Sequence, residues 1–134
     1  MLKKAATAVG AVFLLIGVLG FIPGITMEVD GVKKLLGIFE VDATHNLVHI
    51  LSGLAFLAAA QKERWSRMAF QVFGIVYALV TLIGFIAGTD GTVLGLFHVN
   101  IADNILHLVL AATFLYLGFG TPERRGDTPI TPAV

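Results

Sequence analysis

Long apolar runs separated by short polar breaks set the pattern of this chain. The first is uncharged from Ala5 to Met27. The second runs from Ala43 to Ala60 and stops at Gln61-Lys62-Glu63-Arg64. The third, from Met68 to Gly88, carries no charge, and the fourth, from Ile101 to Gly120, is interrupted only by Asp103, Asn104 and His107. A bilayer-spanning helix needs roughly 20 mostly apolar residues. The pattern therefore predicts four membrane helices, over about residues 5–26, 43–60, 68–88 and 101–120. The first run has the basic start of a signal peptide, but it is long for a signal core and has no clean small-x-small cleavage site. It is read as the first helix, ending near Pro23-Gly24. The expected fold is all-α: an integral membrane four-helix bundle in up-down order over residues 1–120, with a disordered tail over 121–134.

The same pattern repeats within the chain. Leu36-Gly37-Ile38-Phe39 and the run through His49 lie over Leu94-Gly95-Leu96-Phe97 and the run through His107, at a constant offset of 58. Upstream, Gly20-Phe21-Ile22-Pro23-Gly24 answers Gly84-Phe85-Ile86-Ala87-Gly88 at an offset of 64, so the first loop is longer by six residues. This predicts internal duplication of a two-helix unit. Two spans per unit give both copies the same orientation, with a pseudo-two-fold axis along the membrane normal. The loops within the units, Val32 to Phe39 and Val93 to Phe97, are apolar enough to dip into the interface as short turns or helices, or to fold over the bundle top.

Charge fixes an expected orientation. With the N-terminus inside, Lys3, Lys4, Lys62, Arg64, Arg67, Arg124 and Arg125 are cytoplasmic, whereas only Lys33 and Lys34 lie outside. Basic residues favour the cytoplasmic side, so both termini are expected there, and Trp65 falls at the cytoplasmic interface. Only 13% of residues are charged and 57% are hydrophobic, against about 25% charged in soluble domains. The zero formal net charge leaves no electrostatic footprint for nucleic acid. The absence of cysteine excludes disulfides, thiolate metal sites, iron–sulfur clusters and covalent c-type haem.

One polar constellation stands out. Asp42 and Asn100 precede the second and fourth apolar runs and are good N-cap residues, able to accept from the unpaired amides of a first helical turn. His45 and His49 then share one helix face, as do Asp103 and His107, because residues four apart are neighbours on a helix. Asn46 and Asn104 flank those faces. If the two faces meet, three imidazoles and a carboxylate converge. His45, His49, Asp103 and His107 could hold Zn²⁺, Fe²⁺ or Cu²⁺, and His49 with His107 could be axial ligands of a b-type haem. The leading reading is nonetheless hydrogen bonding between helices, which is what intramembrane polar side chains commonly do. A proton path is poorly supported, since Ser52, Gln71, Tyr77, Thr113 and Tyr116 form no chain across the remaining depth. No catalytic residue is assigned. The glycines at GxxxG spacing, Gly20 with Gly24 and Gly84 with Gly88, fit bundle packing, a homodimer or docking into a larger membrane complex.

At Gly17-Val18-Leu19-Gly20-Phe21-Ile22-Pro23-Gly24, at Leu36-Gly37-Ile38-Phe39, at His45-Asn46-Leu47-Val48-His49 and at Asp103-Asn104-Ile105-Leu106-His107, the chain resembles a bacterial membrane family known as domain of unknown function 4383. The resemblance covers nearly everything between the two tails. It implies a four-helix protein of the bacterial plasma membrane and brings no activity with it. The expected function is that of a non-enzymatic accessory or scaffold protein in the bilayer, the alternative being a haem- or metal-binding membrane protein.

Overall fold

A computed structural model describes residues 1–87 and 92–122. Helix α1 spans Leu2–Leu19, α2 Ala43–Ala59, α3 Glu63–Ala87 and α4 Ile101–Leu115, the last continued by a π-helical turn at Tyr116–Gly120. Three of these stretches, Leu2–Leu19, Glu63–Ala87 and Ile101–Gly120, are long and apolar enough to cross a membrane; α2, at 17 residues, is apolar but shorter. The end of the third predicted helix at Gly88, the basic pair Arg124 and Arg125, and the expected disordered tail beyond Pro122 lie outside the described residues.

Helix α1 stops well short of the predicted end. Its last turn tightens, with the Phe21 amide donating to Val18 at 3.1 Å and the Ile22 amide to Leu19 at 3.0 Å. Pro23 disfavours helical backbone at the residue before it, and Gly24 takes a left-handed φ of +93°. At its start α3 exceeds the prediction, because the charged residues Glu63, Arg64 and Arg67 are good helix formers that end an apolar run without ending a helix.

The loops within the two hairpins form short strands, where interfacial turns or helices, or loops folded over the bundle top, are expected. Strands β1 Thr26–Val29, β2 Val32–Leu35 and β3 Phe39–Glu40 form an antiparallel sheet, and β4 Thr92–Val93 pairs with β5 Phe97–His98. Asp30 and Gly31, at φ +55° and +78°, make the two-residue turn between β1 and β2. That backbone matches the twist of a hairpin and favours an Asp-Gly pair. Leu36-Gly37 and Leu94-Gly95 turn alike, with φ of +53° at both leucines.

Helix α1 packs mainly on α2, and α3 on α4. The interior is sealed by Phe13, Phe56, Phe70 and Phe114, with Phe56 and Phe114 ring centroids 5.2 Å apart. Residues at the sequence offsets meet matching surroundings. Phe13 and Tyr77, 64 apart, each present an edge to a histidine, His49 and His107 respectively, at a centroid distance of 5.3 Å. Gly20 and Gly84 each lie against the side-chain oxygen of an asparagine, Asn46 and Asn104, where a Cβ would collide. Polarity runs from inside to outside in reverse of a soluble domain: His45, Asn46, His49, Asp103, Asn104 and His107 are buried, while Leu15, Leu51, Leu79 and Val109 stand exposed on the helix flanks.

Candidate functional site

The polar residues gather where α2 and α4 begin. Asp42 caps α2, its Oδ1 accepting from the His45 amide at 2.8 Å. Asn100 caps α4 through its Oδ1, which accepts from the Asp103 amide at 3.0 Å, and the Asp103 carboxylate accepts in return from the Asn100 amide at 3.0 Å. These reciprocal bonds satisfy amides that a helix start otherwise leaves unpaired.

Each carboxylate also reaches into the other half of the molecule. Asp42 Oδ2 accepts from the His98 amide at 2.9 Å, and Asp103 Oδ2 accepts from the Glu40 amide at 3.0 Å. Asn100 Nδ2 donates to the Ile38 carbonyl at 2.7 Å. Glu40 and His98 occupy matching places before the two helices, and no role was expected for either. The signal available for both was their position beside Asp42 and Asn100. Partial burial pushes the Asp42 carboxyl up, but the His45 and His98 amides outweigh it and hold the group below the usual carboxylate range.

These caps bring three of the four histidines together. One ring nitrogen from each of His45, His49 and His107 lies within 4.8 Å of the other two, and all three residues are buried. His45 stacks on His49 at 4.9 Å and meets His107 nearly edge-on at 5.9 Å. Phe97 packs on His45 at 5.1 Å, so aromatic rings from α1, β5 and α3 enclose the cluster. Asp103 is buried beside this group without joining it, its Oδ2 held by two backbone amides.

The imidazoles differ from the other buried polar groups in what they touch. Ser66 Oγ donates to the Ala59 and Lys62 carbonyls, and Thr81 Oγ1 to the Tyr77 carbonyl at 2.7 Å. The Nδ1 atoms of His45, His49 and His107 are buried with no hydrogen-bond partner, as are Asn46 Oδ1 and Asn104 Oδ1. A buried polar atom left unpaired costs roughly 1–3 kcal/mol. With one ring nitrogen of each imidazole within 4.8 Å of the other two, the three residues could together hold a cation that accepts several lone pairs at once.

The sequence matches the family described as a domain of unknown function (DUF4383) over residues 3–120. The chain belongs to this family. The match takes in all four helices of this DUF4383 protein and all three clustered histidines. No curated protein and no solved structure matches the chain.

Proposed function

We propose that this protein is a non-enzymatic protein of the plasma membrane in which two duplicated helical hairpins are joined by a divalent transition metal bound to His45, His49 and His107. The observation that carries this reading is the trio of buried imidazoles with unpartnered Nδ1 atoms. His45 and His49 come from α2 and His107 from α4, so a shared ion would link the two halves. Neutral imidazole is a good ligand for Zn²⁺, Cu²⁺, Ni²⁺ and Fe²⁺, whereas Mg²⁺ and Ca²⁺ prefer oxygen. Zinc–nitrogen bonds of about 2.0–2.1 Å in a tetrahedron set neighbouring nitrogens roughly 3.3 Å apart. The three nitrogens lie within 4.8 Å of one another, so an ion would draw them closer together.

The membrane part of the reading rests on polarity and length. Ionisable side chains buried inside and leucines exposed outside make sense when the surrounding solvent is hydrocarbon. The bonds from Asp42 and Asp103 across the halves support a shared side for the segments that precede α2 and α4, and the basic residues favour cytoplasmic termini.

Helix-to-helix hydrogen bonding, the leading expectation from sequence, leaves the Nδ1 atoms of all three imidazoles unaccounted for, since among the described residues each is buried with no hydrogen-bond partner. Haem is disfavoured by packing: a macrocycle between His49 and His107 would have to displace His45 and the rings of Phe13 and Tyr77.

Elemental analysis and an absorption spectrum of gently solubilised protein test the proposal, alongside the His49→Ala/His107→Ala variant. Metal near one equivalent per chain, or Co²⁺ taken up with a tetrahedral visible spectrum, is expected for the native protein and not for the variant. A Soret band would replace metal by haem. Protein that takes up neither Co²⁺ nor Zn²⁺, with a variant altered only in thermal stability, would return the histidines to a packing role.

A further inference from the structure

A second feature lies at the far end of the bundle from the histidines. Between α2 and α3, near the turn that joins them, runs an apolar groove of about 340 Å³ lined by Ala55, Ala58 and Ala59 on one side and Trp65, Met68 and Val72 on the other. On α3 these positions recur at three- and four-residue spacing, so they share one face. From Trp65 to Val72 the groove runs roughly 11 Å along the axis at 1.5 Å per residue. That lies within one leaflet, half of a hydrocarbon core about 30 Å thick.

The turn beside the groove carries Lys62, Glu63, Arg64 and Arg67. Lys62 Nζ sits 4.6 Å from the centroid of the Trp65 ring. The other charges of the turn are engaged elsewhere. Glu63 Oε1 accepts from the Leu2 amide at 3.1 Å and from the Met1 amino group at 3.3 Å. The Arg67 guanidinium donates to the carbonyls of Gly118, Thr121 and Pro122 at the end of α4. Among the described residues, Lys62 and Arg64 pair with no carboxylate and are exposed. Lys62 therefore sits on the amphipathic indole at the rim of an apolar slot, with the exposed Arg64 in the same turn, and basic residues at the ends of membrane helices attract anionic headgroups.

We infer that this groove holds an acyl chain of an anionic phospholipid, with its headgroup on Lys62 and Arg64. The inference rests on the membrane reading above and is independent of the metal. Trp65 is the protein's single tryptophan, so its fluorescence reports on the site directly. The full chain is reconstituted in phosphatidylcholine vesicles doped with brominated-chain phosphatidylglycerol or, in parallel, brominated phosphatidylcholine. Saturable quenching at a several-fold lower mole fraction of the anionic lipid is expected. Lys62→Gln/Arg64→Gln should abolish that preference, and Ala58→Phe, which fills the slot, should remove the saturable component. Equal quenching by both lipids would reduce the groove to ordinary lipid contact and overturn the inference. Quenching that falls as the protein concentration in the bilayer rises would put a second copy in the groove, overturning it as well. Absence of quenching by either lipid would instead contradict membrane insertion itself.

Discussion

The two hairpins share a scaffold, and the matched pair His45 and Asp103 sets apart the chemistry of the histidine cluster. Phe13, Gly20, Asn46, His49 and Phe56 in the first half have counterparts in Tyr77, Gly84, Asn104, His107 and Phe114 in the second. Each counterpart meets the same kind of neighbour. At His45 and Asp103 the halves part. His45 turns its ring toward His49 and His107, whereas Asp103 turns its carboxylate to backbone amides. A site that is three imidazoles rather than two follows from that single difference, while the packing that surrounds it stays matched.

The largest test of matched packing is removal of the two core rings. Phe56→Ala and Phe114→Ala each empty a fully buried position, and loss of such a ring costs about 3–5 kcal/mol. Reversible unfolding in detergent should show both losses, of similar size. A difference of more than about 2 kcal/mol would mean that the halves share geometry without sharing stability. Gly20→Ala and Gly84→Ala should follow at about 1–3 kcal/mol each, because the added methyl meets Asn46 or Asn104 in a packed interior. Midpoint temperatures would read this, and a tolerated alanine at one site alone would break the symmetry of the helix approach.

The divergent pair sharpens the comparison further. Asp103→Ala should cost roughly 1–2 kcal/mol through the lost capping box, with metal content unchanged. His45→Ala should lose metal at little cost to the helix start, since Asp42 still caps the backbone. Elemental analysis of both variants separates the roles, and metal loss in both would make Asp103 a ligand after all. Metal retention should also fall as pH falls, because imidazole must be neutral to bind.

The smallest effect concerns Asp42→Asn, which keeps a capping oxygen and removes the charge. The folded carboxyl titrates below its usual range, so its contribution is complete above the unfolded value of about 3.9 and is lost as pH falls through the lowered folded value. A difference of about 0.5 kcal/mol at pH 7 should vanish in strong acid. A pH-independent difference in melting temperature would assign it to the shape of the cap instead.

Much of this arrangement was legible in the sequence. The apolar runs located four helices, and the offset of 58 paired His49 with His107. What escaped was short-range backbone geometry. Asp30-Gly31 carried a hairpin signal, yet Val32 and the residues after it read as an interfacial apolar loop, because strands this short give too few positions for an alternating pattern. Leu36 and Leu94 hid their turns more fully, since a leucine at positive φ contradicts its usual preference. Asp103 shows a different limit of spacing. Helical spacing puts it on the face of His107, but spacing is blind to the competing amides of Glu40 and Asn100.

The bonds that cross between the halves bear on how the chain is made. When synthesis has delivered α1 through α2, the Glu40 amide and the Ile38 carbonyl still await Asp103 and Asn100, which are more than sixty residues away. The first hairpin therefore leaves the ribosome with its top unfinished, and only arrival of the second completes it. Each half acts as the other's final folding partner, so a chain truncated after Ala59 would be an intermediate rather than a smaller protein.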